Sequence, residues 1–250
     1  MNSIVKLVKS ARDKVNYWTE NRYEYVIDRE NKVAYLVNSK AACSSIKASM
    51  YKKDFCDDYS VHDEYSKRLF TGKPFSDESF FKFTYVRNPY SKLVSCYTSK
   101  YKFDLRCLDP SQLEFEGYLH GIMRRDMGFN IFLFWVFIIP DITANKHFRN
   151  QYKLTHRKGC ETVNFIGRIE EMESYDDIAK KYGYAPLKMY NHNEYGPWID
   201  YYSVLTTLMV YLKYRKDIKY FGYEEVFRKV LRYTVKNKRF LRGGKYVRTK

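Results

Sequence analysis

Arg87 and Ser95 stand eight residues apart around Asn88 and Pro89 in the stretch FKFTYVRNPYSKLVSCY. A guanidinium offers a rigid fork of donors and a serine hydroxyl adds another, so the pair can clamp a phosphate or a similar anion. A second set lies upstream. Lys40, Ala41, Ala42, Cys43, Ser44 and Ser45 follow the short apolar run VAYLV and lead into the helix-like IKASMYKK. A turn of small residues lets backbone N–H groups approach an anion, a helix start adds partial positive charge, and Lys40 supplies a mobile cation. The phosphate-loop pattern G-x-x-x-x-G-K-[ST] occurs nowhere in the chain. Taken singly, each set also fits a plain strand-turn-helix join, with Arg87 in a structural ion pair. Two of them in succession are a much more specific sign of anion binding.

The elements that must position these residues follow from pattern. Phe81, Phe83 and Tyr85 alternate with Lys82, Thr84 and Val86, the period of a strand. Asn88 can cap the next helix and Pro89 suits its first position, which needs no N–H. Arg87 then stands at the carboxyl end of a strand, where α/β sheets bind ligands. Ser91, Ser95 and Ser99 would line one face of that helix. Strands are expected at 33–37, 81–86 and 163–167, and helices near 45–53, 89–101, 111–124, 171–182 and 202–216. The most apolar window, Gly128 to Pro140, is too short to span a bilayer and is expected as a buried helix or strand.

The two turns resemble the 5′-phosphosulfate loop and the 3′-phosphate motif of sulfotransferases that use 3′-phosphoadenosine 5′-phosphosulfate (PAPS). The likeness is to the Golgi carbohydrate sulfotransferases and their bacterial relatives. Lys40-Ala41-Ala42-Cys43-Ser44 matches the first loop of that family, roughly Lys-x-Ala/Gly-Cys/Thr-Thr/Ser. Arg87 to Tyr97 fits the second, Arg-x-Pro-x-x-Arg-Leu-x-Ser-x-Tyr, with Lys92 in place of the second Arg. Asn145 to Gln151 is similar to the His-x-x-Pro-Gln segment, with Asn150 replacing Pro, and Asn164 to Glu170 to the Phe-Ile-Gly-Arg/Lys-x-Glu strand. Tyr211 to Tyr223 resembles the closing helix and Phe-Gly-Tyr.

The resemblance implies an α/β fold: a central parallel sheet flanked by helices, like that of P-loop nucleotide kinases. It implies PAPS as donor, adenosine 3′,5′-bisphosphate as product, and a carbohydrate hydroxyl, on a polysaccharide or glycolipid, as acceptor. Lys40 and the residues Ala41 to Ser45 would hold the phosphosulfate, with Lys40 stabilising charge on the leaving oxygen, and Arg87 with Ser95 would hold the 3′-phosphate. A base must take the acceptor proton, and an imidazole suits that task near neutrality. His62 lies in the interval where heparan sulfate 2-O-sulfotransferases carry their catalytic His, and His147 falls in the His-x-x-Pro-Gln segment. Asp63 or Glu64 could serve instead, and Arg168 fits either a ligand contact or a salt bridge with Glu170 or Glu171. No metal site is expected.

Composition bounds the rest. The 250 residues, 45% hydrophobic, suit a folded chain, expected as a single sulfotransferase domain at 1–225 and a basic tail at 226–250. That tail carries ten Lys or Arg and no acid, most of the net +16. Its charge would attract an anionic glycan, anionic lipid or, by the same physics, nucleic acid. Nucleic acid is not the expected partner; peripheral contact with an anionic membrane is. Five cysteines without C-x-x-C spacing suggest neither a disulfide framework nor a zinc site. The first residues, MNSIVKLVKSARDK, do not read as a signal peptide. The expectation is a bacterial cytoplasmic enzyme, peripheral at the inner membrane; a Golgi enzyme trimmed of its anchor fits the same residues. Most of the 26 tyrosines are expected to be packing residues with wet hydroxyls. Competing readings are a P-loop-type kinase and a basic nucleic-acid or membrane-surface binding protein.

Overall fold

The computed structural model describes residues 23–52, 69–72, 75–100, 123, 127–188 and 196–241. The chain begins with strands β1 (Tyr23–Asp28) and β2 (Val33–Leu36), helix α1 (Cys43–Tyr51), strands β3 (Leu69–Gly72) and β4 (Phe81–Val86), and helices α2 (Pro89–Lys100) and α3 (Phe129–Ile138). The short helix α4 (Tyr152–Thr155), strands β5 (His156–Arg157), β6 (Cys160–Glu161) and β7 (Phe165–Arg168), and helix α5 (Glu173–Tyr182) follow. Helices α6 (Val204–Lys213), α7 (Arg215–Tyr220) and α8 (Glu224–Lys236) come last. The chain divides into two compact units, Met1–Val86 with Pro140–Tyr190 and Arg87–Ile139 with Asn191–Lys250.

The first unit is built on a five-stranded sheet in the order β3-β1-β2-β4-β7. Strands β2, β4 and β7 are parallel, while β1 is antiparallel to both β2 and β3. The expected parallel sheet is present at the centre, in β2, β4 and β7, and the one reversed strand β1 makes the whole sheet mixed. A short turn causes the reversal. Asn31 donates from its backbone and its amide to the Asp28 carboxylate, and Lys32 takes a left-handed φ of 53°. So tight a connection can join only antiparallel neighbours.

Side chains alternate across this sheet. Val33, Tyr35, Phe83 and Tyr85 face one side, where Ile46 and Met50 of α1 and Tyr175 and Ile178 of α5 cover them. Tyr25, Ala34 and Leu36 face the other, against Leu154 of α4, Phe80 and Val163. The result is an α/β layer with helices flanking the sheet. Gly167 has a packing reason. A Cβ there would meet the Tyr85 ring at 2.3 Å, so the absent side chain is what lets that ring lie across β7.

The described part of the second unit is helical. Asn88 caps α2, its Oδ1 accepting from Ser91 N at 2.9 Å, with Pro89 at the first helical position. Ser203 and Thr206 form a capping box that starts α6. Tyrosine hydroxyls tie the helices together: Tyr90 donates to the Thr207 carbonyl at 3.2 Å and Tyr202 to the Tyr90 carbonyl at 2.8 Å. With Tyr175 bonded to Ser49 at 2.9 Å in the first unit, these hydroxyls are buried and protein-bonded, not wet. The expectation for Gly128 to Pro140 also needs correction. Helix α3 buries Phe129, Phe132, Leu133 and Val136 but exposes Ile131, Phe134 and Ile138, because a helix apolar all round leaves apolar groups outside whichever face it buries. The basic segment beyond residue 225 begins as α8, with Val230 and Thr234 buried. The helix expected at 111–124 lies outside the described residues apart from Met123.

Candidate functional site

Lys40 to Ser45 leave the carboxyl end of β2, and their backbone is unusual. Lys40 and Ala42 both have left-handed φ, 66° and 56°, which costs a non-glycine residue about 1–2 kcal/mol. Helix α1 starts one residue later with Ala42 at its cap, a residue that makes no side-chain cap bond, and with no acid in the first turn. The first intrahelical bond runs from Ile46 N to Ala42 O, so the amides of Cys43, Ser44 and Ser45 precede the bonded ladder. This is a strained, small-residue loop that concentrates N–H groups and helix-start charge in one place, as an anion requires. Tyr35 underlies it, fully buried, and burial pushes its phenol well above the ordinary range.

Asn38 fixes where this loop sits. Its Nδ2 donates to the Tyr85 carbonyl of β4 at 2.9 Å and to Gln151 Oε1 at 2.8 Å. The loop is thereby held at the carboxyl edge shared by β2 and β4, and the Asn145–Gln151 segment is drawn to the same edge. Glu24 makes a second tie, accepting from Lys146 at 3.2 Å. Burial would raise the Glu24 carboxyl, but Lys146, Lys47 and Arg149 outweigh it and hold the group below the usual carboxylate range. Three cations thus gather around one half-buried acid beside the Lys40 loop.

His147 lies within that segment and is buried. Asn145 Oδ1 accepts from the His147 backbone N–H at 3.0 Å and lies 2.7 Å from Nδ1. A backbone N–H can only donate, so the Asn145 atom is the oxygen and Nδ1 must carry the proton. The neutral ring then keeps its basic lone pair on Nε2. Asn150, where the resembling family has Pro, donates its own backbone N–H to Asp141 at 3.1 Å, a bond that proline cannot make. His62, with Asp63 and Glu64, lies outside the described residues.

Arg87 follows β4 directly. Its Nε donates to Ser91 Oγ at 2.7 Å, and Ser91 also receives Asn88 Nδ2 at 2.8 Å. The three serines expected along one face of α2 have different partners. Ser91 orients Arg87, and Ser99 Oγ turns back onto the Ser95 carbonyl at 2.7 Å. Ser95, half-buried, carries no hydroxyl bond among the described residues. Lys92 is buried in α2. Arg168 resolves to the salt bridge, pairing with Glu171 through Nε at 3.1 Å and again through Nη2.

The sequence singles out Lys40 to Ser45, His62, Arg87, Ser95 and His147, but gives no role to Asn38, Glu24, Lys47 or Gln151. Asn38 and Gln151 were visible as polar residues in the right segments, yet only strand pairing reveals that they meet. No curated protein and no solved structure matches the chain. The model of one family, described as "Sulfotransferase family", matches residues 23–194, more than half of the 250 residues and including both turns and the Asn145–Gln151 segment. The chain belongs to the sulfotransferase family, and is a transferase of sulfuryl groups.

Proposed function

We propose that this sulfotransferase uses PAPS as donor and a carbohydrate hydroxyl as acceptor. The observation that carries the donor assignment is the Lys40 loop, where two left-handed residues precede an uncapped helix start. The bound donor supplies a sulfuryl group attached to a good leaving group, the 5′-phosphate. Lys40 and the amides of Ala42 to Ser45 hold the phosphosulfate and offset the negative charge that grows on the departing oxygen; the Ala41 N–H, expected in the same role, instead donates to the Asn38 carbonyl at 3.2 Å. Arg87, oriented by Ser91, and the Ser95 hydroxyl hold the 3′-phosphate, the group that sets this donor apart from other adenine nucleotides. The acceptor oxygen bonds to sulfur as the bond from sulfur to the phosphate oxygen breaks, and adenosine 3′,5′-bisphosphate leaves. Positioning and charge supply most of the rate.

His62 or His147 takes the acceptor proton. The tautomer at His147, with Nε2 basic, suits it to that role. The acceptor is a surface polysaccharide or glycolipid sugar. The enzyme works on the cytoplasmic side of a bacterial inner membrane, held there peripherally by its basic end.

Calorimetry with adenosine 3′,5′-bisphosphate and with ATP tests the donor. Tight binding of the bisphosphate alone, weakened in Arg87→Ala, is the expected result. A preference for ATP would indicate a kinase, and salt-sensitive binding of any polyanion without nucleotide preference would indicate a basic binding protein. Incubation with labelled donor and a panel of glycans then tests the acceptor.

A further inference from the structure

Nine of the twelve large hydrophobic side chains exposed among the described residues belong to α3, α6 or the pair Phe240 and Leu241, all in the second unit; Phe137, Leu205 and Leu208 are among them. On α3, Ile131, Phe134 and Ile138 are 54%, 48% and 50% exposed and recur at three and four residues, one stripe along the helix. On α6, Leu205, Leu208 and Leu212 repeat that spacing. The two helices pack side by side in the same direction. At one end Phe240 O accepts from Leu205 N and Leu241 O accepts from Asn130 Nδ2 at 3.3 Å. At the other, Lys213 of α6 donates to the Phe137 and Ile139 carbonyls of α3. Scattered apolar residues are ordinary on a protein surface, but a patch continuous over two helices is a binding surface.

Charge identifies the occupant. Helix α3 holds no charged residue and α6 holds only Lys213. Leu241, bonded to the start of α3, leads directly into nine residues that contain Arg242, Lys245, Arg248 and Lys250 and no acid. A second copy of the chain seated on this face would bring further cations and no acid to meet them, since neither helix nor the residues after Leu241 contain one. A bilayer with anionic headgroups offers apolar depth and opposite charge together. Helix α3 has ten residues, so it is about 15 Å long, half of a hydrocarbon core. No helix among the described residues is long and apolar enough to cross a membrane. The fit is to lying in the interface. We propose that the exposed face of α3 and α6 docks this protein onto an anionic lipid bilayer, the cations that follow Leu241 in the sequence adding attraction to its headgroups.

The test is sedimentation with vesicles of phosphatidylcholine alone or with phosphatidylglycerol, using the full chain and the variant Phe134→Ser/Leu208→Ser. The chain should bind the anionic vesicles, and the variant should bind them ~10-fold or more weakly, having lost two apolar anchors. Trp135, half-buried on α3, gives a second readout. Brominated lipids should quench its fluorescence, and a Trp135→Phe control should lose that component of quenching. Three results would overturn the proposal: equal binding by the variant, absence of Trp135-dependent quenching, or sedimentation equilibrium showing a dimer that the variant dissociates.

Discussion

The Lys40 turn and the Arg87 turn do the same topological job, leaving a strand for a helix, and solve it in opposite ways. At Arg87 the helix start is met from within the chain: Asn88 caps Ser91 N and Pro89 needs no bond, so under the proposed function recognition falls to the side chains of Arg87 and Ser95. At Lys40 no side chain caps α1, and the backbone is bent through two left-handed residues that hold its amides together. Under the proposed function, one turn meets the donor with its backbone and the other with its side chains. The Lys40 turn suits a group whose charge changes during reaction, since fixed amides need no reorganisation. The Arg87 turn suits a group that is only held.

That contrast predicts different kinetic signatures. Lys40→Ala should lower kcat by ~10²–10³-fold, the usual effect of removing a donor aimed at developing charge, with a smaller change in bisphosphate affinity. Labelled sulfate transfer and calorimetry on the same preparation measure the two. An equal loss in both would make Lys40 a holding residue like Arg87, and the distinction between the turns would fail. Arg87→Ala should instead weaken bisphosphate binding by ~10–100-fold, the equivalent of ~1.5–3 kcal/mol for a charge-assisted contact, and leave kcat at saturating donor nearly intact. Arg87→Lys should recover only part of the affinity, because an ammonium cannot donate as a planar fork while Ser91 holds one of its nitrogens.

Asn88→Ala comes next in size. Removing a side-chain cap costs ~1 kcal/mol of stability, read as a lower urea midpoint at unchanged m-value. The same change frees Ser91 from one of its partners, so bisphosphate affinity should fall modestly as Arg87 loses its fixed neighbour. No loss of stability would mean that Pro89 alone sets the start of α2.

How much of this was legible beforehand divides by range of interaction. The Arg87 turn is local: Asn88, Pro89 and Ser91 decide its geometry within four residues, and reading them in order suffices. The strand at 81–86 and the helix after it follow for the same reason. What the sequence hid depends on distant partners. Strand β1 was missed because Glu24 interrupts its apolar pattern, and that acid is tolerated because Lys146, 3.2 Å away, acts with Lys47 and Arg149 to hold its charge. The reversal of β1 escaped too, since the hairpin has no Asn-Gly or Asp-Gly signal and closes instead through Asn31 and Asp28. Asn38 and Gln151 are ordinary polar residues until β2 and β4 pair and bring them within 2.8 Å.

The smallest expected effect is the most discriminating, at Ala42. Replacing it with glycine relieves a left-handed φ of 56°, worth ~1–2 kcal/mol. Against that, glycine gives the unfolded chain more freedom, ~0.4–1 kcal/mol, and removes a methyl packed against the core beside α1. These terms nearly cancel, so the thermal midpoint of Ala42→Gly should move by no more than ~2 °C. Ligand binding has no such cancellation. If the alanine at this position holds the amides in place before the anion arrives, glycine must order them on binding, and bisphosphate affinity should fall several-fold at nearly constant stability. A gain in stability with unchanged affinity would instead mean that the left-handed backbone serves only the chain reversal. The Lys40 turn would then be as indifferent to its ligand as any loop between a strand and a helix.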